Sequence, residues 1–107
     1  MDTALLANIL EEELATRLPA VASLEALRLA LAQWVEEKLQ HDFEGLIRLL
    51  YRVDVDEEKL KFFLREKTGE DASQIIADLI IERQVRKWEF RQQFRQEPPP
   101  PDDPESW

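Results

Sequence analysis

Leu5, Leu6, Ile9, Leu10, Leu14 and Leu18 recur at steps of three to five residues, the spacing that gathers apolar side chains along one side of a helix. Pro19 denies helical geometry to the residue before it and predicts the end of this first helix. Ser23 then stands ahead of Leu24, Leu27, Leu31, Trp34 or Val35, and Leu39, so an N-capped second helix of almost five turns is expected. Asp42 predicts the start of a short third helix with Phe43, Leu46, Ile47 and Leu50 as its apolar positions. Asp54 followed by Glu57 has the spacing of reciprocal capping and predicts a fourth helix carrying Leu60, Phe63 and Leu64.

Thr68-Gly69-Glu70 breaks the pattern, and Asp71 with Gln74 repeats the capping signal before Ile75, Ile76, Leu79, Ile80 and Ile81. The consecutive run Leu79 to Ile81 cannot lie on one narrow stripe, so this helix is expected at the centre with its neighbours around it. No breaker follows until Glu97, which makes the helix about 25 residues and about 37 Å long. Its C-terminal half should overhang the other helices. Pro98-Pro99-Pro100-Pro101 and the acidic residues after them cannot continue a helix and read as polyproline II or disordered chain. The expected fold is therefore all-α: a compact bundle of about five helices in a single domain over 1–96, followed by a Pro-rich acidic tail over 97–107. The two Asp-led helix starts share capping chemistry but no internal repeat.

The chain has 107 residues, enough for one small domain. Without cysteine it has no disulfide framework, no thiolate nucleophile and no Cys-ligated metal, and a reducing cytoplasm is the expected location. Met1-Asp2 opens without a basic segment, and Glu11, Glu12 and Glu13 interrupt the first apolar stretch, so neither a signal peptide nor a membrane span is expected.

From 42 to 87 the chain carries Asp42-Phe43, Leu49-Leu50-Tyr51-Arg52-Val53-Asp54-Val55 and Ile75-Ile76-Ala77-Asp78-Leu79-Ile80-Ile81-Glu82-Arg83-Gln84. This stretch resembles a family of small, uncharacterised, all-helical bacterial proteins. The resemblance covers a little under half the chain and implies a compact helical fold in a bacterial cytoplasm, with no catalytic signature.

Candidate chemistry is thin. Glu37 and His41 have the i,i+4 spacing of a metal-ligand or acid–base pair. A di-iron carboxylate bundle needs a second histidine, and His41 is the only one. A helix-end histidine favoured by the helix dipole is the simpler reading. Asp54, Asp56 and Glu58 alternate like calcium-loop ligands, but Lys59 and Arg65 occupy the positions that require Gly and a bidentate Glu. Gly45 and Gly69 stand alone, so no phosphate cradle forms, and no serine lies in a nucleophile elbow. No cofactor and no catalysis are expected.

Charge separates the chain more sharply than any motif. Residues 1–82 hold 18 acidic and 9 basic side chains, residues 83–95 hold one and five, and residues 96–107 hold four and none. Within the basic segment Arg83, Arg86, Lys87, Arg91 and Arg95 interleave with Val85, Trp88, Phe90 and Phe94. Such a face can bind phosphates and stack bases, which makes a nucleic-acid-associated regulator one reading. Against it, the whole chain carries −9 and repels polyanions at long range. The bland reading is a dipole-favoured helix end whose aromatics pack on helix one. The preferred reading is a protein interface, most simply a homodimer, because aromatic and Arg side chains concentrate in interface cores; its candidate residues are Arg83, Arg86, Lys87, Trp88, Phe90, Arg91, Phe94 and Arg95. Arg95, Pro98 and Pro101 also fit a basic polyproline ligand, with a solvating spacer as the plainer alternative.

Overall fold

A computed structural model describes residues 2–66 and 71–96. The Thr68-Gly69-Glu70 break and the 97–107 tail lie outside the described residues. Five α-helices follow one another: α1 (Thr3–Leu14), α2 (Leu24–His41), α3 (Phe43–Arg52), α4 (Glu57–Glu66) and α5 (Ala72–Gln96). The described chain is all-α, as the pattern predicts.

The caps explain most boundaries. Asp2, Ser23 and Asp42 accept backbone N–H groups of Ala4, Ala26 and Gly45, satisfying donors that a helix start leaves without intrahelical partners. Gly45 lets the capping carboxylate of Asp42 come close, and a Cβ there would make that side chain shift. The start of α4 departs from the expected capping by Asp54. Asp56 caps instead, accepting from Glu58 and Lys59, while Asp54 sits at φ 65°, a left-handed turn that Asp tolerates better than most residues. The turn frees its carboxylate to accept from Arg83 on α5 at 2.8 Å.

Helix α1 also ends earlier than Pro19 requires. Ala15 takes φ 51°, ψ 42° and its N–H reaches back to the carbonyls of Glu11 and Glu12. This is a left-handed C-terminal cap on a residue other than Gly. Leu18 therefore lies beyond the helix, half-buried, with its N–H donated to the Glu11 carboxylate at 3.0 Å.

The core gathers Leu6, Leu10 and Leu14 of α1, Leu27, Leu31 and Val35 of α2, Leu46, Leu49 and Leu50 of α3, and Ile76, Ala77 and Ile80 of α5. The pairing of α2 with α5 is the most extensive, and Arg28 closes it with a bidentate ion pair to Asp78 at 2.5 and 3.0 Å. Helix α5 is central as expected: Ser73, Ile75, Ile76, Ala77, Leu79, Ile80 and Gln84 are buried, covering more than one side of the helix. Helix α3 is rotated from the expected face. Leu49 takes a core place, while Phe43 and Ile47 are exposed. Helix α4 buries no residue fully.

Two features of this fold are costly to the protein. Gln84 is fully buried one turn beyond Ile80, and neither its amide nitrogen nor its oxygen finds a hydrogen-bond partner among the described residues. A buried polar group without a partner costs about 1–3 kcal/mol. Gln84→Leu, close in volume, is expected to stabilise the fold by about 1–2 kcal/mol and to raise the midpoint of a thermal melt by several degrees; an unchanged or lowered midpoint refutes the cost assigned here. Ala15→Gly removes the left-handed penalty on a Cβ-bearing residue, and a net gain of about 0.5–1 kcal/mol is expected after the entropy of the glycine is deducted, measured by urea unfolding.

Candidate interaction surface

The sequence of α5 changes character after Gln84, and its environment changes with it. Val85 still packs on the core cluster. From Glu89 to Phe94 five of six side chains are exposed, with only Gln92 partly covered. The overhang expected from helix length is therefore present. Phe90 and Phe94, one turn apart, pair edge to face with ring centroids 4.7 Å apart. They remain 57% and 48% exposed.

The cations of this segment divide into two groups. Arg83 is paired with Asp54 at 2.8 Å, and Arg86 shares the Glu82 carboxylate, at 2.9 Å, with Lys59. Among the described residues Lys87 and Arg91 make no ion pair, and they flank Phe90 in sequence. Arg83, Arg86, Lys87 and Phe90 surround a shallow depression of about 310 Å³. Trp88 is half-buried, and the side chain of Arg95 lies outside the described residues. Of the eight candidate residues, Phe90 and Phe94 are thus an exposed ring pair and Lys87 and Arg91 are cations without an ion pair among the described residues.

A second surface was not legible in the sequence. Ile47, Leu50, Tyr51, Val55, Leu60 and Leu64 line an apolar groove of about 740 Å³ between α3 and α4, with Asp54, Asp56, Glu57, Lys61 and Arg83 as its polar lining. Ile47 is 44% and Tyr51 84% exposed, and Phe43, one turn before Ile47, adds 56% exposure on the same side of α3. The signal that could have found it is the second i,i+4 series in this helix: 43, 47 and 51 run parallel to the core series 46, 49, 50 and 53.

The remaining candidates do not assemble. Glu37 and His41 are both exposed, and among the described residues no three His, Asp or Glu side chains converge as a metal site would need. The alternating acids Asp54 and Asp56 are engaged in an ion pair and a helix cap. Among the described residues no helix is long and apolar enough to cross a membrane.

A three-residue ion network joins α4 to α5. Glu82 accepts from Lys59 at 2.6 Å and pairs with Arg86 at 2.9 Å. The hydrogen bond from Lys59 holds the Glu82 carboxyl below its ordinary value of 4.5, helped by the charges of Lys59 and Arg86 against a smaller opposing effect of burial. A depressed carboxyl stabilises the fold above its unfolded value and loses that contribution as pH falls through the folded one. The side chains are more than a third exposed, so no more than about 1 kcal/mol is expected from the pair. Lys59→Met should therefore melt below the wild type at neutral pH, and the gap should close as pH falls below the ordinary carboxyl range; a gap that persists in acid would assign the loss to packing instead.

No family model matches the chain, and no curated protein or solved structure matches it either, so its chemistry is read from its own residues alone.

Proposed function

We propose that this protein is a non-enzymatic interaction module that pairs with a second copy of itself through the exposed end of α5. The observation that carries the reading is the Phe90–Phe94 pair, roughly half exposed on a helix segment that no other described helix covers. Aromatic rings with neighbouring cations are the side chains that concentrate binding energy at the centres of protein interfaces. A bacterial cytoplasm is the setting in this reading, supported by the resemblance over 42–87 and by a composition free of cysteine.

The nucleic-acid reading of the same face is weaker. Arg83 is already matched by Asp54, and Arg86 is partly engaged by Glu82, which it shares with Lys59, so the cations in 83–95 are not all open to phosphate. The excess of acid elsewhere in the chain then dominates the approach of a polyanion.

The test is solution mass by size-exclusion chromatography with light scattering over a concentration series. A species of twice the chain mass is expected at high concentration. Phe90→Ser combined with Phe94→Ser should weaken its formation at least ten-fold, the size expected when two central aromatic anchors are removed. A wild-type monomer at every concentration would overturn the reading.

A further inference from the structure

A projecting aromatic pair needs a receiving surface, and the groove between α3 and α4 has the complementary chemistry. Its floor is apolar, and its volume of about 740 Å³ lies in the range of clefts that enclose sizeable ligands. Five carboxylate and cationic groups share its lining, and two of the three acids are balanced within the chain: Asp54 by Arg83 and Glu57 by Lys61. Asp56 is left without an ion pair among the described residues, as is Glu58 two residues further on. The end of α5 is the converse, with Phe90 and Phe94 exposed beside Lys87 and Arg91, which make no ion pair among the described residues.

The two surfaces cannot meet within one chain. Arg83 lines the groove, and Phe90 and Phe94 lie about 10 and about 16 Å further along the same helix, carried away from that wall by a continuous backbone. Phe62 with Lys61 and Arg65 offers similar chemistry, but α4 is itself a wall of the groove and cannot enter it. Phosphate-bearing or acidic partners are disfavoured by Asp56 in the groove lining. A second copy supplies aromatic rings and cations together.

We propose that the groove of each copy receives the Phe90–Phe94 end of α5 from the other, exchanged about a two-fold axis. The inference rests on the self-association proposed above and adds to it the receiving surface. A one-way contact of a projection and a groove would propagate along a filament; reciprocal exchange closes at two copies.

Two variants separate the halves of the contact. Ile47→Asp blocks the groove and leaves the projection; Phe90→Ser with Phe94→Ser removes the projection and leaves the groove. All three positions are well exposed, and circular dichroism checks that each variant is folded. Each alone is expected to be monomeric at concentrations where the wild type is dimeric. An equimolar mixture is expected to regain a two-chain species, because one intact projection then meets one intact groove. Tyr51→Asp, at a side chain 84% exposed, is the second groove variant, one whose folding does not depend on burial, and at least ten-fold weaker pairing is expected. If groove variants pair as the wild type does while the Phe90/Phe94 variant does not, the inference is overturned and pairing between α5 ends takes its place. A mixture that stays monomeric, or a mass that grows past two copies, also overturns it. A wild-type monomer overturns both this inference and the reading beneath it.

Discussion

The structure depends on enclosing the apolar stretch of α5 from Ile75 to Ile80, which has too few polar positions to leave a side in water. Ile76, Ala77 and Ile80 join the cluster of Leu27, Leu31 and Val35, and Arg28 reaches over this seam to Asp78. Every other placement answers to that seam. Helix α1 covers it with Leu6, Leu10 and Leu14, and α3 with Leu46, Leu49 and Leu50. Helix α4 comes last and finds no fully buried place, so charged pairs to α5 supplement the partial burial of Leu60 and Val55.

That hierarchy explains where apolar surface is left over. A bundle that has filled its interior has no use for further large side chains, and those of α3, α4 and the end of α5 remain at the surface. Isolated exposed apolar residues are ordinary; adjoining ones around a groove, and a paired set near a helix end, are the surfaces on which the proposed contacts rest. The ion pairs of Asp54 with Arg83 and of Glu57 with Lys61 line the same groove, so the polar side chains around it are largely held in place before anything enters.

The helices and their order were legible because capping residues and apolar periodicity agree along most of the chain. Ser23 and Asp42 announce the helices that they cap, and the unbroken run after Asp71 announces the length of α5, hence its overhang and the aromatic site. Misreadings arose where two local rules were both satisfied. Asp54 and Asp56 are each fit to cap α4, and the choice falls to Asp56 because Asp54 is drawn to Arg83, a partner 29 residues away that no local window contains. Helix α3 offers two apolar series, and which one turns inward is decided by the bundle, so periodicity offers the second series without saying that it lines a groove. The early end of α1 had no sequence signal, since Ala15 is a poor candidate for a left-handed cap.

The pair of Arg28 and Asp78 spans 50 residues of chain, and the seam that it closes joins the second helix to the last. During synthesis from the N-terminus, α2 therefore emerges from the ribosome with Leu27, Leu31 and Val35 prepared as a helical face but with their main covering still unmade. The fold has no early stopping point: until Ile80 has left the exit tunnel, the nascent chain holds most of its leucines without a finished interior. Such chains are exposed to unwanted association while they wait, and the excess of acidic side chains in residues 1–82 opposes it by mutual repulsion.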